Sequence, residues 1–219
     1  MLNIQIAIDG PAGSGKSTVA KEIAKRLEIT YLDTGAMYRA VTLFALRSQV
    51  DVCSSEALKM VVDTIDLDIT PSQLIVNGED VTDAIRTPEV TRNVSYVSMD
   101  AYVRAKMVSL QQKIAHGKSV IMDGRDIGTT VLPDAAYKFF LIADPVERAK
   151  RRKLELDAKG FETTIEALTS EIIERDKLDS ERDVSPLKCA DDAVEIDTTF
   201  MSIEQVVKTI IEYVEKDLG

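Results

Sequence analysis

Short apolar runs alternate along the chain with longer stretches of helical period. IQIAI at 4–8, SVIMD at 119–123, YKFFLIA at 137–143 and AVEID at 193–197 read as strands. The helical stretches between them imply crossover connections, which predicts an α/β fold with a parallel sheet flanked by helices. The last helix has the plainest pattern. Ser202 and Gln205 form a capping box, and Ile203, Val206, Val207, Ile210, Ile211, Val214 and Leu218 keep a helical spacing that is expected to cover one sheet face.

One region breaks this rhythm. DLDIT at 66–70, QLIV at 73–76 and EDVT at 79–82 are short strand-like pieces separated by turn signals at Pro71 and Asn77-Gly78, which predicts a small antiparallel insert. Helical stretches follow near 88–98 and 100–116, the second closing at Gly117 as a C-cap. The sequence has no internal repeat, low-complexity tract or long linker, so a single domain over 1–219 is expected.

With 219 residues, 45% of them hydrophobic, the chain can bury a sizeable core without covalent staples. Cys53 and Cys189 are far apart and lie in no CxxC or Cys/His ligand spacing, so a disulfide framework or zinc site is not expected and a reducing compartment fits. No apolar run approaches the ~20 residues that span a bilayer, and the first residues lack a basic start followed by a long apolar stretch. A soluble, cytoplasmic protein without a membrane partner is therefore expected. The net charge of −10 argues against a nucleic acid polymer or an anionic membrane as partner, because phosphate backbones need a broad basic surface. An anionic ligand must then be small and held by a local cluster of Arg and Lys.

GPAGSGKST, Gly10 to Thr18, follows the first apolar run and opens a helical pattern. Gly10, Gly15, Lys16 and Ser17 match the phosphate-binding pattern GxxxxGK[S/T] in the strand-then-helix context it requires. The glycines let successive N–H groups point inward, and the helix adds its positive N-terminal end. Lys16 can reach the β and γ phosphates, and the Ser17 hydroxyl can ligate the Mg²⁺ that bridges them. A plain flexible glycine turn is the alternative, and it explains neither Lys16 nor Ser17. A guanine-reading NKxD stretch is absent. The second apolar run ends in Asp123-Gly124-Arg125-Asp126 rather than Asp-Glu, so water is not the expected acceptor.

A small kinase remains, and it needs cations around two phosphorylated ligands that repel each other. Arg39, Arg104, Arg125, Arg148, Arg151 and Arg152 are candidates. Arg175, Asp179 and Arg182 are spaced i, i+4, i+7, so one helix face could present all three. Each group has a bland alternative: a solvated basic helix face for 148–153, intrahelical ion pairs for 175–182, and a loop salt bridge for Arg125. His116 reads as a surface residue near a helix end. A kinase of another small acceptor and a regulatory nucleotide-binding module without turnover are the competing functions.

GPAGSGKST, YLDTGAMYRA, IRTPEV, DGRDIGTTVLPDA, RAKRR and ERDKLDSERDVSPL occur in an order and spacing that resemble the bacterial cytidylate kinases, across essentially the whole chain. The resemblance implies a core of about 1–32, 118–147 and 184–219, a CMP-binding subdomain with the insert over about 33–117, and a helical lid with its following helix over about 148–183. It implies phosphoryl transfer from ATP·Mg²⁺ to CMP or dCMP. ATP contacts are expected from Gly10, Pro11, Ala12, Gly13, Ser14, Gly15, Lys16, Ser17, Thr18, Arg148 and Arg152. Thr34, Arg39, Arg125 and Arg182 would hold the acceptor phosphate, Arg175 and Asp179 the sugar hydroxyls, and Ser95, Arg104 and Asp126 the base. Lys16, Arg125, Arg151 and Arg182 would act on the transferring group. Cytosine chemistry agrees: its amino group donates, which suits Asp126, while N3 and O2 accept, which suits Arg104 and Ser95. A monomer is expected.

Overall fold

The computed structural model of the protein describes residues 3–70, 73–158 and 160–218. In chain order the elements are β1 (Gln5–Asp9), α1 (Lys16–Leu27), β2 (Thr30–Asp33), α2 (Thr34–Arg47), α3 (Ser55–Asp63), β3 (Leu67–Ile69), β4 (Leu74–Val76) and β5 (Glu79–Asp80). They continue with α4 (Pro88–Met99), α5 (Ala101–Ala115), β6 (Val120–Gly124), β7 (Tyr137–Ile142), α6 (Pro145–Asp157), α7 (Ile165–Glu181), β8 (Val194–Asp197) and α8 (Ile203–Leu218). A short 3₁₀ turn covers Ala84–Arg86, and a π turn covers Ile127–Val131. Two compact units result, one of Met1–Tyr31 with Ser119–Gly219, the other of Leu32–Lys118.

The first unit is built on a five-stranded sheet in the order β2-β6-β1-β7-β8. β1 pairs in parallel with β6 (Ile8↔Asp123) and with β7 (Ile8↔Phe139), and β7 pairs in parallel with β8. The four apolar runs of the sequence are β1, β6, β7 and β8. β2 was not among the predicted strands: Thr30 and Asp33 bound only Tyr31 and Leu32, too short a run to carry a period. Its start is fastened where the Thr30 N–H donates to the Ser119 carbonyl at 3.1 Å.

α1 and α8 cover the sheet, with Val19, Ile23, Val206, Val207, Ile210 and Val214 packed on Ile6, Ile8, Phe139 and Leu141. Full burial of each such side chain contributes roughly 1.5–3 kcal/mol. The capping box forms reciprocally: the Ser202 N–H donates to Gln205 Oε1 at 2.8 Å, and the Gln205 N–H donates to Ser202 Oγ at 3.2 Å. Of the predicted stripe, Ile203 is exposed at the helix start, and the Leu218 side chain lies outside the described residues.

The second unit carries the insert as an antiparallel sheet in the order β3-β4-β5, with Leu67 opposite Val76 and Ile75 opposite Asp80. Asn77 and Gly78 both take positive φ, 51° and 83°, as a tight two-residue hairpin turn requires. The turn signal at Pro71 lies outside the described residues. Leu74, Val76, Val81 and Ile85 pack against Ala40 and Leu43 of α2. Four helices of this unit start on side-chain caps: Asp33 accepts from the Ala36 N–H, Ser54 from Ala57, Thr87 from Val90 and Asp100 from Val103. α5 has its C-cap at His116, and Gly117 follows at φ 69°.

Candidate active site

Gly10 sits at φ 141°, and a Cβ there would lie 2.1 Å from the Leu141 carbonyl oxygen, so only glycine lets the chain leave β1 against β7. Gly15, at φ 91°, caps α1 with no side-chain hydrogen bond, and no acidic residue sits in the first turn. The amides at the start of α1 therefore face the loop with their positive partial charge intact. Thr198 Oγ1 donates to the Ser14 carbonyl at 3.1 Å and braces the loop from the end of β8.

Lys16 is buried, and its Nζ donates to the Pro11 carbonyl at 2.6 Å and to Ser14 Oγ at 3.3 Å. Burial drives its pKa well below the usual lysine value; the guanidiniums of Arg125 and Arg175 push the same way, while Asp123 and Asp9 oppose them.

Two carboxylates end adjacent parallel strands beside this cluster. Asp123, at 4% exposure, accepts from Ser17 Oγ at 2.7 Å and from the Tyr31 hydroxyl at 2.8 Å. Asp9 accepts from the Ile127 N–H at 2.8 Å and the Gly128 N–H at 2.7 Å. Burial raises the Asp9 pKa to about 6; the two amides and Lys16 moderate the rise, and Asp126 adds to it. Neither residue was a sequence candidate. The available signal was position, since ligands of open parallel sheets gather at the carboxyl ends of the strands.

The DGRDIG segment leaves β6 with Arg125 and Asp126 turned to different partners. Arg125 Nε donates to Asp179 Oδ2 at 2.8 Å, so it is not paired merely with the carboxylates flanking it in sequence. Burial works to raise the Asp179 carboxyl, but Arg125, Arg175 and Arg182 outweigh it and hold the carboxyl below its ordinary range. Arg182 Nη2 lies 3.3 Å from Asp126 Oδ1, both side chains being almost fully buried. The expectation of one helix face for Arg175, Asp179 and Arg182 needs correction. α7 ends at Glu181, and Arg182 follows in extended backbone at φ −65°, ψ 143°, its Nε donating to the Ser185 carbonyl at 2.7 Å.

The basic stretch of α6 divides. Arg148 is buried at 3% exposure, and its Nε donates to the Ala143 carbonyl, its Nη1 to the Ala12 carbonyl of the loop, and its Nη2 pairs with Asp176 at 2.6 Å. Arg151 Nη2 donates to the Thr198 and Thr199 carbonyls at 2.6 and 3.2 Å. Arg152 pairs with Glu155, and Lys150 and Lys153 make similar pairs along the helix, as a solvated face does. The first two arginines therefore tie α6 to the loop and to the end of β8.

Within the second unit, Thr34 is buried at the start of α2 and Ser95 on α4. Arg104 on α5 is 2% exposed; its Nη1 donates to the Ser98 carbonyl at 3.2 Å, and its guanidinium lies 5.5 Å from the centre of the Tyr38 ring. Arg39 is half-buried, and His116 is exposed. Lys16, Ser17, Arg125, Asp126, Arg175, Asp179 and Arg182 are thus brought together in the first unit; Thr34, Arg39, Ser95 and Arg104 belong to the second.

The model of the family described as cytidylate kinase matches residues 6–216. A cytidylate kinase of Bacillus cereus is 54% identical over 215 residues, covering 96% of each chain. One of Bacillus thuringiensis is 54% identical over 212 residues, covering 95% of this chain and 94% of its own. Among solved structures, a shikimate kinase from Bacteroides thetaiotaomicron aligns over 97% of this chain and 98% of its own with a TM-score of 0.50 at 14% identity, a likeness of fold alone.

Proposed function

Because the chain belongs to the cytidylate kinase family, we propose a division of labour among its site residues for the reaction of that family. The enzyme transfers a phosphoryl group from ATP to CMP, giving ADP and CDP; dCMP is proposed as a second acceptor. The 10–18 loop wraps the donor phosphates, and Lys16 moves its ammonium from Pro11 and Ser14 to the β and γ oxygens. Arg125, Arg151 and Arg182 neutralise charge on the transferring group, and Arg148 and Arg152 serve the donor side. Mg²⁺ bound with ATP would supply charge neutralisation at the phosphate oxygens. Ser17 and Asp123 suit it: they are hard oxygen donors 2.7 Å apart. Their small number agrees with an ion that keeps phosphate and water ligands.

On the acceptor side, Thr34, Arg39, Arg125 and Arg182 are assigned to the CMP phosphate, Arg175 and Asp179 to the ribose, and Ser95, Arg104 and Asp126 to cytosine. The acceptor needs no strong base, since a monophosphate with a second pKa near ~6 is already largely ionised at pH 7. Its oxygen attacks the γ-phosphorus in line, and the residues align the partners and exclude water.

The observation that carries this reading is the loop before α1, where Gly10 and Gly15 take positive φ, no acidic residue enters the first helical turn, and buried Lys16 rests its ammonium on Pro11 and Ser14, a cation that bound phosphates would stabilise. Asp126→Asn tests the acceptor assignment. An amide can rotate to offer a donor to the uracil oxygen, so the preference for CMP over UMP in kcat/KM should narrow by about tenfold, in line with ~1–3 kcal/mol for a polar contact. An unchanged ratio removes Asp126 from base recognition.

A further inference from the structure

We propose that Asp9 is a positioning residue for acceptor recognition: it caps the turn after β6 from a neighbouring strand, which leaves the Asp126 carboxylate to Arg182 and the acceptor base. The inference rests on the reading of Arg125 and Asp126 as acceptor contacts.

Asp126 occupies the cap position of the π turn Ile127–Val131, where an Asp side chain ordinarily accepts from the exposed amides that follow it, yet it makes no such bond here. Those amides, Ile127 N–H and Gly128 N–H, donate instead to the two oxygens of Asp9. The rest of the turn closes on itself, with the Thr130 and Val131 amides donating to the Asp126 carbonyl and the Leu132 amide to the Ile127 carbonyl. Asp126 Oδ1 is then held on Arg182 Nη2.

The fit is close on both sides. A Cβ on Gly128 would come 3.2 Å from Lys138 Cδ and 3.5 Å from Asp9 Oδ2, so the turn runs between the Asp9 carboxylate and the Lys138 stem. The Lys138 ammonium is itself held by Asp192 and the Pro133 carbonyl. Asp9 and Ile127 are nearly inaccessible, so water is a poor replacement for the missing acceptor. Without Asp9, the Asp126 carboxylate stands at the cap position from which it can turn to these amides, and turning inward would withdraw it from Arg182.

The test uses the full chain as wild type and as Asp9→Asn, Asp9→Ala and Gly128→Ala. Steady-state KM values for CMP, UMP and ATP are measured together with hydrogen exchange of the Ile127 and Gly128 amides. In Asp9→Ala the two amides should exchange faster, the KM for CMP should rise about ten- to a hundredfold, and the CMP preference over UMP should narrow, a change in preference that loss of a charge beside Lys16 would not by itself produce. Asp9→Asn keeps one acceptor oxygen and should fall between. Gly128→Ala crowds the same contact from the opposite direction and repeats the pattern should Asp9→Ala fail to fold. Unchanged amide exchange would overturn the cap. Faster exchange with unchanged CMP KM and preference would overturn the positioning role. If Asp126→Asn leaves the CMP preference intact while Asp9→Ala still frees the amides, the acceptor reading of the turn fails and this inference fails with it, although the cap is real.

Discussion

Asp9 carries its role as a titration. Its carboxyl has a pKa of about 6 in the fold, raised from an ordinary value near 3.8, because burial penalises the anion more than the two amides and Lys16 repay, and Asp126 adds repulsion. A raised carboxyl pKa contributes stability that is fully present below the unfolded value and is lost as pH rises through the folded one. Asn at this position does not titrate. The stability of wild type relative to Asp9→Asn should therefore decline between about pH 4 and pH 7 by roughly 3 kcal/mol, at ~1.4 kcal/mol per pKa unit, as read from urea unfolding. A gap that stays flat with pH would mean the anion is buried without cost. At this scale the placing of Lys16 and Ser17 at the start of α1 behind the loop was legible, because a strand, a glycine-rich turn and a helix follow one another in sequence. Asp9 and Asp123 were not, because an Asp closing a strand looks the same in sequence whether it caps a distant turn, meets a hydroxyl or begins a loop.

At the scale of elements, the strand-loop-helix unit from β1 to α1 depends on one backbone position. Gly10→Ala would place a methyl 2.1 Å from the Leu141 carbonyl oxygen at a φ of 141°, so β1 and β7 must part or the loop must rebuild. A loss on the order of 3 kcal/mol or more is expected, read as a lowered urea midpoint and accompanied by loss of ATP turnover. An unchanged midpoint would show that the loop does not depend on this approach. The capping box of α8 and the Asn77-Gly78 hairpin were readable because each is a local pattern with local bonds. β2 was hidden because its strand character comes from its place beside β6 and not from a period of its own. The departure of Arg182 from α7 was hidden for a similar reason, since its guanidinium is satisfied by Asp126 and Ser185, partners that spacing along the helix does not reveal.

At the scale of the whole molecule, a chain of net charge −10 must hold two phosphorylated substrates. General attraction cannot supply that, so the cations are concentrated: Lys16, Arg125, Arg175 and Arg182 stand within one unit, and their mutual repulsion is offset by Asp123, Asp9, Asp126 and Asp179. Family membership spans residues 6–216, so both compact units belong to the same catalytic chain. The family was legible from motif order, whereas the partners of each arginine emerged only from the fold. The most direct measurement is ADP release by the purified protein with ATP and, in turn, AMP, GMP, UMP, CMP, dCMP and TMP, each below saturation. CMP and dCMP should give the highest kcat/KM, with UMP about tenfold or more behind. A purine monophosphate as the best acceptor, or no ADP above background with any of the six, would contradict the assignment of the site.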